Sequence, residues 1–230
     1  MITTFTIVRY SKIAVPFAIL SMAILHIPLF FQKGLRFYKL LGSGKNGTFD
    51  VNPDWQQWGF IGVWESRESY DFFMQNSGVS KWWRLLTQNQ WTLVCKVISS
   101  HGTWDGKSPF IAETIPNAYD GMVVVLTRAS IRPLKALAFW QNVPDVAKSM
   151  ENASGLVASM GVGEMPFFKQ ATLSIWKSAE DIKQFAYRQK QHAEVIKKTR
   201  TQKWYREELF ARFIPIESIG YLNEKEIKII

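Results

Sequence analysis

One of the three histidines of this chain stands on an apolar stripe and is its best candidate metal ligand. In the helix predicted over 178–198, Ile182, Phe185, His192 and Ile196 are spaced by three, seven and four residues, which places them on one face. A neutral imidazole that points inward from such a face can ligate a metal. A lone inward histidine is more often a hydrogen-bonded core residue, so both interpretations of His192 stay open.

Two arginines on predicted strands are candidate catalytic residues. Arg128 ends the strand predicted over 122–128, and Arg212 lies within the strand predicted over 208–216, where neighbouring side chains alternate in direction. A guanidinium that points into a barrel can pair with a carboxylate or polarise a bound oxygen species. An ordinary ion pair at a strand end explains either arginine equally well.

The composition and motifs of the chain exclude several kinds of site and protein class. Cys95 is the single cysteine among 230 residues, so an intrachain disulfide is excluded, and three scattered histidines do not make a structural zinc site. The net charge of +9 attracts acidic partners. No recognised nucleic-acid motif accompanies the basic and aromatic residues at 82–86 and 203–210, so we expect no nucleic-acid partner. A serine-hydrolase elbow is absent from the sequence.

The candidate residues are set in an internal repeat. Positions 60–73 align with 172–185, so that Trp64 matches Trp176 and Phe73 matches Phe185. Three earlier blocks match in the same order: 7–11 with 126–130, 25–28 with 141–144, and 40–44 with 159–163. Each copy is predicted to run strand, helix, strand, strand, helix, strand, which is the order of a ferredoxin-like unit.

This order predicts the fold class and the domain boundaries. Each unit covers one sheet face with two helices, so the two bare faces must bury each other. We therefore predict an α+β protein in which a tandem duplication of ferredoxin-like β-α-β-β-α-β units forms an α+β barrel. The first unit is expected at 1–100, a linker rich in glycine and proline at 101–120, the second unit at 121–221, and a tail at 222–230.

Residues 13–31, IAVPFAILSMAILHIPLFF, carry no charge and occupy the first helix position of the repeat. Pro16 and Pro28 limit an unbroken helix to about a dozen residues, short of the roughly 20 that span a bilayer. Its apolar outer face must still be covered, either by a second copy of the chain in a homodimer or by a membrane surface. We expect a cytoplasmic protein, with peripheral contact at the inner membrane surface as the alternative.

Seven blocks, taken in order, resemble the spheroidene monooxygenase family of bacterial carotenoid metabolism. They are FYKLLGSGKNGTF (37–49), GTWDGKSPF (102–110), LTRASIRP (126–133), FWQNVP (139–144), GVGEMP (161–166), SIW (174–176) and WYREELFARF (204–213). His192 also falls where the family carries a histidine. The resemblance runs from the first strand almost to the end of the chain.

The resemblance implies a haem-dependent oxygenase that inserts oxygen at an unactivated carbon of a carotenoid, using an external electron donor. It also implies a relation to duplicated ferredoxin-like haem proteins, including chlorite dismutases and aldoxime dehydratases, whose proximal histidine lies on a helix of the C-terminal half. On this expectation His192 ligates the iron of haem b, Phe185 and Ile196 line its pocket, and Arg128 meets a propionate or the distal oxygen.

Three alternatives to this function stay open on the sequence. The chain could be another haem enzyme of the same barrel type, resembling an aldoxime dehydratase or using peroxide. It could be a non-enzymatic protein that carries haem or a lipophilic molecule. A cofactor-free monooxygenase of the same fold would leave His192 with a structural role.

Overall fold

Eight antiparallel strands close into one barrel in the computed structural model, which describes residues 1–45, 52–113, 119–188 and 201–229. The strands are β1 Ile2–Tyr10, β2 Leu35–Gly44, β3 Pro53–Trp64, β4 Thr87–Gly102, β5 Val123–Ile131, β6 Leu156–Met165, β7 Lys169–Trp176 and β8 Tyr205–Gly220. Around the barrel they follow the order β1-β3-β2-β6-β7-β5-β8-β4.

The strand order shows the duplication directly. Each half has the ferredoxin-like order, β4-β1-β3-β2 in the first unit and β8-β5-β7-β6 in the second. A short seam joins β2 to β6, where Gly42 pairs with Gly163, and a long seam joins β4 to β8, from Trp91 opposite Gly220 to Gly102 opposite Leu209. The predicted α+β barrel of two ferredoxin-like units is confirmed.

Helices cover the outside of the barrel. They are α1 Val15–Ile24, α2 His26–Phe30, α3 Arg67–Asn76, α4 Gly78–Leu86, α5 Ala136–Glu151 and α6 Ala179–Arg188. The sequence pattern over 66–86 is that of one helix, but the structure divides it into α3 and α4, because the Ser77 hydroxyl accepts a hydrogen bond from the Ser80 N–H at 3.0 Å and caps a new helix. The predicted helix 178–198 is described only as far as Arg188.

Apolar side chains fill the barrel interior. Alternate residues of each strand point inward, as Leu209, Ala211 and Phe213 do on β8. The Phe213 ring packs edge to face against Phe5 at 5.1 Å and Phe110 at 5.2 Å between centroids. Because side chains occupy this space, a functional site is expected at a barrel end or on an outer face.

Two equivalent turns extend the repeat beyond its last strands. After β4 and after β8, Gly102 and Gly220 both have φ of +84°, where a Cβ would overlap the carbonyl oxygen of Glu208 or Gln90. A one-pair bridge follows each glycine, Trp104 with Lys107 and Leu222 with Lys225. The side chains of Trp104, Phe110, Leu222 and Ile227 are buried against the barrel interior. Parts of the predicted linker and of the predicted tail therefore have the same structural role.

The segment Lys12–Phe30, with its 19 residues, is long and apolar enough by length and composition to cross a bilayer. It is a short 3-10 turn (Lys12–Ala14) followed by α1 and α2, with a break in the helix at Leu25. About a quarter of the segment (28%) is buried against the rest of the protein.

Candidate active site

Six charged side chains converge at the barrel end where β5 and β6 finish and β7 and β8 begin. We call this set, which consists of Lys39, Asp105, Arg128, Glu164, Lys169 and Glu207, the barrel-end cluster. Five of the six occupy inward positions of strands, two residues from a residue in the interior such as Leu126 or Leu209. Asp105 comes from the turn after β4. The blocks that carry the family resemblance supply five of the six residues, and Lys169 lies three residues after the block that ends at 166.

Arg128 lies at the centre of the barrel-end cluster, with its side chain 1% exposed. Its guanidinium donates hydrogen bonds to a carboxylate oxygen of Glu207, to Asp105 Oδ1 at 3.2 Å and to Glu164 Oε2 at 3.5 Å. The guanidinium carbon also lies 5.4 Å from the ring centroid of Trp104. A buried cation is thus compensated by three carboxylates, as burial of a charge requires.

Two lysines complete the balance of charge in the barrel-end cluster. Lys39 Nζ donates to Glu164 Oε1 at 2.6 Å and also contacts a carboxylate oxygen of Asp105. Lys169 Nζ donates to Asp105 Oδ1 at 2.7 Å, and the Trp104 indole N–H donates to Glu164 Oε2 at 2.9 Å. The cluster therefore holds three basic and three acidic groups in mutual contact.

Two carboxylates of the cluster, Asp105 and Glu207, are held in their ionised form. Burial raises the pKa of Asp105, but hydrogen bonds from Lys169 and Lys39 outweigh it and lower the pKa to about 2. Burial likewise raises the pKa of Glu207, yet the Gly106 N–H, the Thr103 hydroxyl and Arg128 lower it to about 2. A group so firmly ionised at neutral pH is a poor general acid or base. Asp105 and Glu207 are therefore suited to pairing with the basic groups of the cluster and not to proton transfer.

The described residues of the first unit do not repeat this cluster. Arg9 is the repeat counterpart of Arg128, yet its side chain is partly exposed and donates to Asp54 Oδ2 at 3.0 Å. The two ends of the barrel have thus diverged in polarity.

Arg212 lies on the outer face of β8, next to Phe210, and not in the barrel. Its neighbours Ala211 and Phe213 point into the interior, so strand alternation directs Arg212 outward. The sequence pattern allowed an inward direction for the Arg212 side chain, and the structure excludes it. Arg128 and Arg212 therefore do not share a site. The Arg212 guanidinium carbon lies 5.3 Å from the Phe210 ring centroid. Its Nε is buried and has no hydrogen-bond partner within the described ranges.

Apolar side chains cover the same outer face beneath α6. We call this set, which consists of Val123, Val125, Trp176, Ile182, Phe185 and Phe210, the α6 face. The rings of Trp176 and Phe185 lie 5.3 Å apart between centroids, so α6 is anchored on β7 by aromatic contact. The helical spacing predicted that Ile182 and Phe185 lie on one face of the helix, and the structure places both on the α6 face.

His192 and Ile196, the predicted iron ligand and pocket residue, lie outside the described residues, and their roles stay predictions. In the described parts of the chain, no group of three or more His, Cys, Asp or Glu could hold a metal ion. A haem iron needs only one protein ligand, so the α6 face gives the relevant test. The buried Arg212 Nε, which has no partner among the described residues, lies beside the Phe210 ring and can donate to a carboxylate of a bound group. Arg212 is therefore the described residue that would hold a haem carboxylate.

The remaining histidines and the paired tryptophans have local roles. His26 is exposed on α2, with its Nδ1 3.1 Å from the Tyr38 hydroxyl, and His101 is exposed at the end of β4. Trp64 is buried and donates its indole N–H to Thr4 Oγ1 at 2.9 Å. Trp64 and its repeat counterpart Trp176 each pack beneath a helix, which assigns them to the scaffold.

A cavity of about 620 Å³ opens beside the turn that follows β4. Its lining includes the apolar side chains of Phe37, Val63 and Ile111, together with Arg36 and Lys107. It has no residue in common with the α6 face, so the two are separate surfaces.

The curated relatives of this chain are spheroidene monooxygenases. The sequence matches no protein-family model. It is 34% identical over 201 residues to the spheroidene monooxygenase of Rhodobacter capsulatus, and the aligned residues make up 87% of this chain and 83% of that protein. It is 33% identical over 193 residues to the spheroidene monooxygenase of Rubrivivax gelatinosus, and the aligned residues make up 84% of this chain and 73% of that protein.

Solved structures share the architecture at much lower identity. A crystal structure of an aldoxime dehydratase is similar with a TM-score of 0.63 at 11% identity, over 94% of this chain and 81% of that one. A second aldoxime dehydratase, in complex with butyraldoxime, also gives 0.63 at 9% identity, over 94% of this chain and 79% of that one. At this level of identity the similarity shows the fold alone.

Proposed function

The chain belongs to the spheroidene monooxygenase family and is a monooxygenase, and from this premise we propose that it uses haem to insert oxygen into a lipophilic, carotenoid-like substrate. The observation that carries the haem proposal is the α6 face, where Arg212 holds a buried Nε without a partner among the described residues. The substrate class follows from the names of the relatives.

The residues on and beside the α6 face have separate roles in this proposal. Arg212 would pair with a haem propionate, Phe210 and Phe185 would contact the porphyrin, and His192 would ligate the iron. Bound haem supplies oxygen activation, with electrons from an external donor. The chain itself contributes an apolar surface that excludes water and orients the group through one charged contact.

Arg128 has a different part from the one that the resemblance suggests. Its guanidinium is committed to the carboxylates of Asp105, Glu164 and Glu207 on the inner side of the sheet. We therefore assign the propionate contact to Arg212 and the closure of the barrel end to Arg128.

Visible absorption of the protein reconstituted with haem tests this proposal. We expect a Soret band for the wild type, a shifted band for His192→Ala, and about tenfold weaker haem affinity for Arg212→Leu, because a charge-assisted hydrogen bond is lost. Arg206→Leu, which removes an exposed arginine of the same strand, is the matched control and should bind haem normally. A wild type without a Soret band would refute the haem proposal, and an unchanged His192→Ala spectrum would remove His192 as the ligand.

Product analysis tests the substrate separately. The haem-loaded protein, supplied with spheroidene, oxygen and a reductant, should yield a carotenoid that has gained oxygen. Butyraldoxime is the comparison substrate, because the fold is also that of aldoxime dehydratases. Loss of water from the aldoxime, with spheroidene unchanged, would favour the dehydratase alternative.

A further inference from the structure

The first helical segment buries one stripe of side chains against the sheet and exposes most of its large apolar residues. Ala14, Ala18 and Ser21 face the sheet and are almost fully buried, and Leu25 and Leu29 continue the same stripe. Seven large apolar residues, which we call the α1–α2 face, are between 46% and 90% exposed: Ile13, Phe17, Ile19, Leu20, Ile27, Phe30 and Phe31. A helix that is apolar on all sides is ordinarily buried or in contact with lipid.

The neighbouring helix α4 extends this apolar surface. The Phe17 and Trp82 rings lie 6.2 Å apart between centroids, which holds α1 beside α4. On α4, Leu85 is 81% exposed. The exposed surface therefore spans more than one helix.

Positive charge lies at both ends of the α1–α2 face. The first 49 residues contain no Asp or Glu. Lys12 and Lys33 are exposed at the two ends of the face, and Lys81 is exposed on α4. None of these three lysines forms an ion pair with the described residues. The acidic groups nearby on and before α3 are Glu65 and Asp71, which pair with arginines, and the exposed Glu68.

We propose that the α1–α2 face docks on an anionic lipid bilayer. Apolar side chains would enter the boundary between headgroups and acyl chains, while the lysines meet lipid phosphates. A second copy of the chain fits this surface less well, because a two-fold dimer would bring Lys12 and Lys33 against the same lysines without an acidic partner. The proposal rests on this surface alone and is independent of haem and of the substrate.

The segment lies on the bilayer and does not cross it. β1 precedes the segment and β2 follows it, and both strands pair with β3 in one closed barrel. A crossing segment would place β1 and β2 on opposite sides of the membrane, which the barrel forbids. Burial of the stripe from Ala14 to Leu29 against the sheet also holds the segment along the protein surface.

Sedimentation with vesicles of phosphatidylcholine, with or without phosphatidylglycerol, tests the docking. The wild type should bind the anionic vesicles at low salt and lose binding as salt is raised. Phe30→Ser combined with Phe31→Ser should weaken binding at least about tenfold, since two exposed aromatic anchors are lost. Lys12→Gln combined with Lys33→Gln should weaken it about fivefold per lysine and reduce the preference for anionic vesicles.

The second unit offers a matched control. Leu134 and Leu137 begin the equivalent α5 region and are 97% and 74% exposed, so Leu134→Ser combined with Leu137→Ser removes similar surface elsewhere. This control should bind vesicles as the wild type does, and all variants should melt at similar temperatures. Failure of the wild type to bind anionic vesicles would overturn the proposal. So would an equal loss in the control, or a dimer that Phe30→Ser with Phe31→Ser converts to a monomer while vesicle binding persists.

Discussion

At the scale of single residues, the barrel-end cluster shows how a buried arginine is stabilised. Arg128 contacts three carboxylates, and two of these, Asp105 and Glu164, also contact lysines. Buried ion pairs often add little net stability, but removal of one partner leaves an uncompensated charge and costs several kcal/mol. The cluster is therefore more sensitive to substitution than surface ion pairs are.

We predict acid-sensitive stability that depends on this cluster. Because the folded-state pKa values of Asp105 and Glu207 are about 2, below their ordinary values, their stabilisation is complete above about pH 4.5 and is lost as pH falls toward 2. Glu207→Gln should lower the free energy of unfolding by about 3 kcal/mol at neutral pH and make the acid loss shallower. Urea unfolding at a series of pH values measures both effects.

Glu208→Gln is the control for this prediction, because Glu208 is exposed on the other side of β8. It should change the free energy of unfolding by no more than about 0.5 kcal/mol. Equal stability and equal acid dependence in the two variants would contradict the structural role of the cluster.

At the scale of elements, the turn after β4 closes one barrel end through Trp104. The Trp104 side chain is fully buried, donates to Glu164 and packs against the Arg128 guanidinium. The equivalent turn after β8 places Leu222 in that position. One repeated turn thus closes the barrel with different side chains.

Trp104→Ala should lower the free energy of unfolding by about 3–5 kcal/mol, since it leaves a cavity at the closed end. Trp104→Phe should cost less, about 1–2 kcal/mol, because an aromatic ring remains while the hydrogen bond to Glu164 is lost. Chemical denaturation measures both values. Trp55→Ala removes an exposed tryptophan and serves as the control; a loss as large in that control would contradict the closing role of the turn.

The elements were largely predictable from the sequence, because their spacing repeats. Paired tryptophans and strand patterns identify both units. The division between α3 and α4 was missed, since a serine cap within a helical pattern is a weak signal. The equivalence of the two closing turns was also missed, because WDGK (104–107) and LNEK (222–225) share only one residue.

The candidate site was predictable only in part, because sequence spacing defines one helix or strand at a time. Ile182 and Phe185 were found by their helical stripe. Asp105, Glu164 and Glu207 were missed, since their convergence depends on how distant strands pair around the barrel. The outward direction of Arg212 required the same knowledge of register.

At the scale of the whole molecule, closure of the barrel makes the two units depend on each other. β4 pairs with β8 along most of its length, and β2 pairs with β6. We predict that thermal unfolding is a single transition, with far-UV circular dichroism and tryptophan emission changing together. Two separate transitions, one for each unit, would contradict this dependence.

The same closure has a consequence during synthesis. All partners of β4 and β2 across the seams, such as Gly220 and Gly163, are translated after the first unit is complete. Until then the first sheet has two open edges and a bare apolar face, which are the features that promote aggregation. We therefore expect the yield of folded protein to depend strongly on translation rate and growth temperature, because the last strand pairings join residues far apart in the chain.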